Sequence, residues 1–153
     1  MSAETWIIDD RITTYGRLFE AHTRLHHLLG KELEEAVGLP LSWYGVLLHV
    51  GRSPDGTRPM NELINATAFT SGGVTRLVDR MEHAGLVKRR PCATDRRVQY
   101  VALTESGWDI LRRATEIHVQ GIDRHMIGHL EPEEVQQLDR LLARVLDSGD
   151  RER

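Results

Sequence analysis

The segment Thr70–Leu103, TSGGVTRLVDRMEHAGLVKRRPCATDRRVQYVAL, decides the fold because the spacing of its apolar residues changes at Gly85. Before Gly85 they recur at intervals of three and four, which predicts a helix with one narrow apolar stripe. This stripe consists of Val74, Leu77, Val78 and Met81. After Gly85 the period becomes two over residues 86–90 and 98–103, which predicts two strands around a basic, irregular tip. The segment therefore predicts a helix that leads into a β-hairpin.

A shorter helix precedes this segment. The tetrapeptide SPDG at residues 53–56 predicts a turn, because proline presets one backbone angle and glycine supplies a positive one. Apolar residues then predict a short helix over residues 60–64, and residues 66–69 interrupt its pattern before Thr70, which is placed to cap the next helix. Two helices joined by about four residues, the second with a polar face opposite its apolar stripe, are typical of a helix-turn-helix.

A long amphipathic helix is predicted near the start of the chain. Apolar residues and histidines recur at spacings of three and four over residues 12–33, and a second apolar strip runs beside them. Gly38 and Pro40 are expected to end this helix. Ser42 is the predicted N-cap of a shorter helix that closes at Gly51.

Two further helices are predicted at the end of the chain. Thr104 is a suitable N-cap for a helix that continues through Ile122, and the acidic residues of 131–134 open a last helix, as the helix macrodipole favours. A long helix that is apolar on two sides must be covered on two sides, and a chain of 153 residues can hardly supply both covers alone. The sequence therefore predicts a homodimer.

The charge of the chain is unevenly distributed. Twenty Lys and Arg residues against 23 Asp and Glu residues give a net charge of −3, which is not typical of a nucleic-acid-binding protein. Residues 88–97, however, contain Lys88, Arg89, Arg90, Arg96 and Arg97 and a single acid, Asp95. This segregation allows one face to meet phosphate while the rest of the surface carries acid.

Several classes of protein are disfavoured. Cys92 is the only cysteine, no basic segment precedes an early apolar run, and no stretch is long enough to span a bilayer, so we expect a cytoplasmic protein without membrane attachment. The chain has neither a glycine-rich phosphate loop nor a Gly-x-Ser-x-Gly elbow, so we expect neither an enzyme nor a cofactor. A protein-interaction module that keeps the fold without binding DNA is the alternative that the acidic net charge favours.

Two segments resemble the MarR family of transcriptional regulators. Residues 95–104, DRRVQYVALT, are similar to the family's Asp-x-Arg wing followed by its Leu-Thr helix start. Residues 74–82 with 85–87 resemble its recognition helix and the exit into the wing. The resemblance implies a mostly α fold with a small β wing: a single domain over residues 1–153, in which 42–103 form a winged helix-turn-helix and 11–37 and 104–147 form dimerisation helices.

The resemblance also implies a function. It implies an obligate homodimer whose two recognition helices enter successive major grooves of double-stranded DNA, with the wings touching the flanking minor grooves. The site would be an imperfect palindrome in or near a promoter, and binding would usually repress transcription. In many members of the family a small, often aromatic effector weakens DNA binding.

Candidate DNA-contacting residues lie on the predicted recognition helix and in the wing. The helix offers Thr70, Ser71, Gly72, Gly73, Thr75, Arg76 and Arg80. Arginine is the usual bidentate reader of guanine, and a solvated helix face is the alternative. Two adjacent glycines cost roughly 1 kcal/mol each relative to alanine, which close approach of the backbone to DNA would justify.

In the wing, Arg97 is the candidate for insertion into a minor groove, Asp95 for the residue that orients it, and Arg96 for a phosphate contact. A plain surface turn is the alternative. Because residues 88–90 alternate across a strand, at least one of their three basic side chains should point away from DNA.

The remaining candidates concern small ligands. His22 and His26 lie in the apolar stripe of the first helix, where an aromatic effector could stack with Tyr15, Trp43 or Tyr44, although ordinary core packing is the alternative. The pairs His22/His26 and His125/His129 could each offer two imidazoles to a metal, but no cysteine or close acid completes a set, so we assign no metal. Cys92 would sense oxidants only if Arg89, Arg90 or Arg96 stabilised its thiolate, and an inert thiol is the favoured interpretation.

Overall fold

The computed structural model describes residues 7, 9–66, 71–95 and 97–150. Within these residues the chain forms six α-helices, three strands and a 3₁₀ turn at Ile127–His129. The elements are, in order, α1 (Asp10–Val37), α2 (Leu41–Gly51), β1 (Thr57–Pro59), α3 (Met60–Ala66), α4 (Ser71–His83), β2 (Val87–Pro91), β3 (Gln99–Leu103), α5 (Glu105–His125) and α6 (Pro132–Asp150). The predicted fold class, mostly α with a small β wing, is confirmed.

The chain divides into two compact units. The central unit comprises residues 29–118, and the terminal unit comprises residues 1–28 together with 119–153. The central unit therefore contains the helix-turn-helix, formed by α3 and α4, and the wing, formed by β2, β3 and the residues that join them. The terminal unit contains most of α1, the end of α5 and all of α6.

The core of the central unit gathers the apolar stripe predicted for α4. Val74, Val78 and Met81 are fully buried, and Leu77 is nearly so. They pack in one cluster with apolar residues of α1, α2, α3 and the sheet, among them Leu33, Leu47, Leu63 and Val101. Because four α4 residues at helical spacing are buried, the opposite face of α4 is left to solvent.

The sheet has three antiparallel strands in the order β1-β3-β2. The two strands of the predicted hairpin are confirmed, with Arg89 opposite Val101 in the register. Strand β1 was not predicted, because three residues are too short to show a period of two. It ends at Pro59, which lacks a backbone N–H, and it occupies an edge of the sheet, where such a residue is tolerated.

Helix ends agree with the sequence in most places. Gly85 adopts a positive φ of 76° after α4, as its role as a stop signal requires. Thr104 caps α5, because its Oγ1 accepts the backbone N–H of Gly107 at 3.0 Å. At α6 the side chain of Glu134 accepts the backbone N–H of Glu131 at 2.8 Å, which satisfies a donor just before the helix begins.

The N-cap predicted for α2 is wrong. The helix begins at Leu41, and its N-cap is Pro40, in an extended conformation and without a side-chain cap hydrogen bond. The carbonyl oxygen of Pro40 accepts the backbone N–H groups of Trp43 and Tyr44 at 2.9 and 3.0 Å, so Ser42 already lies inside the helix. Proline is compatible with the N-cap position because its φ, fixed at about −65°, also allows the extended conformation, and the N-cap residue need not donate a backbone N–H.

The terminal unit leaves apolar side chains in solvent on each of its long helices. Tyr15 is 69% exposed and Leu146 is 73% exposed. The other large exposed apolar residues of α1 and α6 are Ile12, Leu18, Phe19, Leu141 and Val145. In the described parts of the chain, none of the helices combines the length and the hydropathy that a bilayer crossing requires.

Candidate nucleic-acid interface

The exposed face of α4 carries the residues predicted to contact DNA. Thr75, Arg76 and Arg80 are exposed on the side opposite the buried stripe. Gly72 is exposed as well, and a Cβ atom built there meets no described atom of the chain within 4 Å. The packing described therefore gives no steric reason for glycine at this position. Thr70 and the side chain of Ser71 lie outside the described residues.

The described residues on either side of position 96 in the wing tip are joined by hydrogen bonds. The backbone N–H of Cys92 donates to the carbonyl of Val98, and the N–H of Val98 donates to the carbonyl of Asp95, both at 3.0 Å. The Asp95 carboxylate accepts the backbone N–H of Arg97 at 2.9 Å and also lies 3.6 Å from Nε of Arg97. The side chain of Arg97 is 94% exposed. The two residues predicted to act together are thus in contact, whereas Arg96 lies outside the described residues.

The three basic residues of β2 have different environments. Lys88 and Arg90 are exposed, but the side chain of Arg89 is only 22% exposed and faces α4. Its guanidinium forms ion pairs with Asp79 at 2.6 Å and with Glu82 at 2.7 Å. The backbone N–H of Arg89, and then its guanidinium, hold the pKa of Glu82 below its ordinary value. Arg89 is therefore the basic residue of β2 that is engaged within the chain.

The partners of Arg89 were not predicted from the sequence. A signal for them exists, since Asp79 and Glu82 are three residues apart on one helix and therefore share a face. Period-two alternation in β2 indicates only that one of the neighbouring basic residues turns away from the other two. Which helix the inward-facing side chain contacts depends on how the hairpin packs in the folded chain.

The residues predicted to hold an effector lie in both units. In the central unit Tyr44 is buried, its ring centroid lies 4.6 Å from that of His118, and its hydroxyl lies 3.4 Å from Oγ1 of Thr115. Trp43 packs at the edge of the same core. In the terminal unit Tyr15 is exposed, and the rings of His22 and His26 are 5.8 Å apart. The effector site remains a prediction.

His118 is a residue that the sequence analysis missed. Its Nδ1 atom is buried and has no hydrogen-bond partner among the described residues. Burial lowers the pKa of His118 below the ordinary value for histidine, because the charged imidazolium loses its hydration. No local pattern in the sequence distinguishes it from the other seven histidines.

Cys92 lies at the start of the wing tip, with its Sγ 3.3 Å from Oγ1 of Thr94. Hydrogen bonds with the side chain and then the backbone of Thr94, followed by the backbone of Asp95, lower the pKa of this thiol. The causes are therefore local hydrogen bonds, and neither Arg89 nor Arg90 contributes to the lowered pKa, whereas Arg96 lies outside the described residues.

The histidine pairs differ in their geometry. His22 and His26 share α1, whereas α5 ends at His125 and His129 belongs to the 3₁₀ turn that follows. Across the described residues, no group of three or more His, Cys, Asp or Glu side chains is arranged to hold a metal ion.

Known proteins resemble this chain in both sequence and structure. A model of the MarR family matches residues 37–98. The HTH-type transcriptional regulator MhqR of Bacillus subtilis is 34% identical over 90 residues, which cover 59% of this chain and 61% of MhqR. The matched stretches span only 61% of the length of MhqR and 51% of the length of a second relative, the HTH-type transcriptional regulator PecS of Dickeya dadantii.

Solved structures extend the similarity over most of the chain. AbsC, a MarR family transcriptional regulator from Streptomyces coelicolor, is 31% identical with a TM-score of 0.84, and the match covers 92% of this chain and 94% of AbsC. Sco3205, a MarR family regulator from the same organism solved in complex with DNA, is 29% identical with a TM-score of 0.83, and the match covers 92% and 89% of the two chains. The family suggested by the wing and recognition-helix motifs is confirmed, and the chain belongs to the MarR family of transcriptional regulators.

Proposed function

We propose that the chain is a sequence-specific regulator of transcription that binds an imperfect DNA palindrome as a homodimer and represses until a small effector releases it. The observation that carries the proposal is the pair of exposed basic elements in the central unit. These are the polar face of α4, with Arg76 and Arg80, and the wing tip, with Arg97. The similarity to Sco3205, which was solved with DNA, supports this proposal.

The α4 helix is suited to the major groove. Its apolar stripe is anchored in the core, so the opposite face is held outward on a rigid element. Arg76 and Arg80 are four residues apart and therefore lie on one side of the helix, where a guanidinium can donate two hydrogen bonds to a guanine edge. The other proposed contacts of this helix are Thr70, Ser71, Gly72, Gly73 and Thr75.

The wing is suited to the minor groove. The guanidinium of Arg97 projects into solvent from a turn that Asp95 closes, so it can enter a narrow groove without rearranging the hairpin. Narrow A·T-rich grooves attract arginine through their negative potential. Arg96, one residue away, is the proposed phosphate contact. Major-groove reading by α4 and minor-groove contact by the wing would together define one half-site.

A homodimer would provide the second half-site. The exposed apolar residues of α1 and α6, such as Phe19 and Leu146, support burial against a second copy, because clustered exposed apolar residues commonly mark protein–protein interfaces. The proposed dimerisation helices are residues 11–37 and 104–147. Two recognition helices related by a two-fold axis meet successive major grooves about 34 Å apart, which explains why the site would be a palindrome.

A small aromatic effector would release the DNA. The proposed contacts are Tyr15, His22 and His26 of the terminal unit and Trp43 and Tyr44 of the central unit, and ordinary core packing is the alternative for Tyr44, which is buried against His118. A regulator of transcription acts where the chromosome is, so the proposed location is the cytoplasm. The net charge of −3 favours the alternative of a protein-interaction module that does not bind DNA.

A mobility-shift titration separates these possibilities. The probes are the DNA upstream of the gene that encodes the chain and a shuffled duplex of equal length and composition, at several stated salt concentrations. A sequence-specific regulator retards the upstream DNA at far lower concentration than the shuffled DNA. Equal retardation of both would contradict sequence specificity, and retardation of neither would favour the interaction module. Sedimentation of the same preparation should give a dimer at micromolar concentration, and a folded monomer that still binds the operator would remove the homodimer.

A further inference from the structure

Arg89 connects the wing to α4 through both its side chain and its backbone. Its Nη1 donates to Oε2 of Glu82 at 2.7 Å, and its Nη2 lies 2.6 Å from Oδ1 of Asp79. Its backbone N–H donates to the other carboxylate oxygen of Glu82, Oε1, at 2.8 Å. Nη2 also donates to the backbone carbonyl of Thr75 at 3.4 Å. Residue 89 of the hairpin is therefore attached to three successive turns of the helix.

The position of Arg89 in the hairpin makes these contacts consequential. It lies at the middle of β2 and pairs with Val101 of β3, whose side chain is fully buried. The base of this hairpin is held by the pairing of β3 with β1 and by the burial of Val87 and Val101, and Arg89 adds an attachment of β2 to α4. Beyond Arg89 the hairpin continues to the exposed turn that carries Arg97. A contact at residue 89 thus limits where Arg97 can be relative to Arg76.

The contact also has an electrostatic role. Asp79 and Glu82 place two carboxylates on the helix that would approach DNA, and both are partly exposed. Unpaired acids there would repel phosphate. Arginine suits this position, because its planar fork can bond two carboxylates at once, whereas a lysine ammonium acts as a point charge.

We propose that Arg89 is a positioning residue that couples the wing to the recognition helix, so that Arg76 and Arg97 engage one DNA half-site as a single rigid body. This inference rests on the proposed DNA-binding function. Rigid attachment keeps the second contact at high effective concentration once the first has formed. Without Arg89, α4 still binds, but the wing reaches its groove less often and Arg97 contributes less.

The test measures how much Arg97 contributes with and without the coupling. Operator affinity is determined for Arg97→Ala and for Arg76→Ala, each in the otherwise unchanged chain and in Arg89→Gln. In the unchanged chain, Arg97→Ala should lower affinity roughly tenfold or more, as for an arginine contact in nucleic-acid interfaces. In Arg89→Gln the same substitution should lower affinity by less than about twofold, a change from roughly tenfold that exceeds the roughly twofold deviation from additivity that independent sites show. The cost of Arg76→Ala should be retained.

Arg90→Gln is the matched control. It removes one positive charge from the next residue of the same strand, which is exposed, and it leaves the contacts of Arg89 with α4 intact. It should lower affinity in a salt-dependent way without changing the cost of Arg97→Ala. Arg89→Lys keeps the charge but loses the fork, so the cost of Arg97→Ala should shrink in this variant as well. A lysine variant identical to the unchanged chain would show that charge alone matters and would overturn the inference.

A second variant keeps the arginine, in case Arg89→Gln does not fold. Asp79→Asn with Glu82→Gln retains the shape of both side chains and removes their charges. If Asp79 and Glu82 acted only by repelling phosphate, this variant would bind DNA more tightly and the cost of Arg97→Ala would be unchanged. Coupling predicts instead that the cost of Arg97→Ala falls, as in Arg89→Gln. An undiminished cost in whichever variant folds would overturn the inference.

The outcomes distinguish the inference from the function on which it rests. If the unchanged chain does not retard its upstream DNA, the proposed function fails. If it does bind and Arg97→Ala costs the same with and without Arg89, DNA binding stands and the coupling is wrong. If Arg97→Ala costs nothing in either protein, the coupling is also wrong, because the wing then contributes nothing that Arg89 could position.

Discussion

The carboxylate of Asp95 accepts the backbone N–H of Arg97 at 2.9 Å, and the same oxygen lies 3.6 Å from Nε of that arginine. An aspartate that bonds the backbone two residues ahead closes a turn that asparagine can also close. The contact therefore directs the side chain of Arg97 before any DNA is present. It implies that Asp95 aids binding despite its negative charge.

Asp95→Ala and Asp95→Asn separate the two effects of this residue. Both remove the charge, but only asparagine keeps an acceptor for the N–H of Arg97. Because one hydrogen bond of ordinary strength is worth about 0.5 to 1.5 kcal/mol, Asp95→Ala should bind the operator roughly two- to tenfold more weakly than Asp95→Asn. Titrations at two salt concentrations check this, and the ratio should be the same at both. Equal affinities would mean that the turn does not orient Arg97.

Arg76 and Arg97 should fail in different ways when replaced by alanine. Arg76→Ala should cost roughly 1 to 3 kcal/mol per half-site and relax the preference at one base pair, because it removes a reader of a base edge. Arg97→Ala should lower the salt slope and any preference for A·T in the flanks, because it removes a charge from a narrow groove. One operator, its base-substituted versions and a salt series measure both. If both variants bind within about twofold of the original at every salt, the docking geometry is wrong.

Gly72→Ala should stabilise the chain and weaken its DNA binding. The site offers open space for a Cβ in the described chain, and alanine favours a helix over glycine by up to about 1 kcal/mol. On DNA the added methyl would hold the first turn of α4 away from the phosphates. Gly45→Ala in α2 is the matched control, since a Cβ there also meets no described atom within 4 Å, and it should leave affinity unchanged. Thermal unfolding and operator titration give the two readouts, and a Gly72→Ala variant that binds normally would contradict close approach.

The free energy of unfolding should decrease as the solution becomes acidic, in part because of His118. Burial depresses the pKa of His118 in the folded chain below 6.5, its ordinary value. Between those two values the unfolded chain binds a proton that the folded chain does not, so stability is lost as the pH falls below about 6.5 and the loss ends below the folded pKa. His118→Phe keeps a ring against Tyr44 and removes the titration, so its stability should depend less on pH.

His49 contributes in the same direction, because burial, then Arg58, and then Arg52 lower its pKa. Denaturant unfolding at fixed protein concentration from pH 7.5 to about 5 measures the slopes, with His49→Gln alone and combined with His118→Phe. An unaltered slope in His118→Phe would show that His118 is not the group that titrates.

The sequence by itself determined the elements whose causes are local. The stripe from Val74 to Met81 predicted α4, because burial of one face requires helical spacing within a single segment. Thr104 predicted the start of α5, because a cap bonds a backbone N–H three residues away. The contact of Asp95 with Arg97 joins residues that are two apart in the chain, so a local sequence pattern could also predict it.

Only the tertiary structure decided the features that join distant segments. Strand β1 forms because its three residues pair with β3, and these residues are too few to show an alternation of apolar and polar side chains. The ring of His118 meets Tyr44 from another helix, and burial there, not residue type, depresses its pKa. Arg89 shares a basic strand with Lys88 and Arg90, and packing of the hairpin on α4 brings this residue to Asp79 and Glu82. The sequence determines which side chains are charged. The partner of each charged group depends on which surfaces the fold brings within about 4 Å of it.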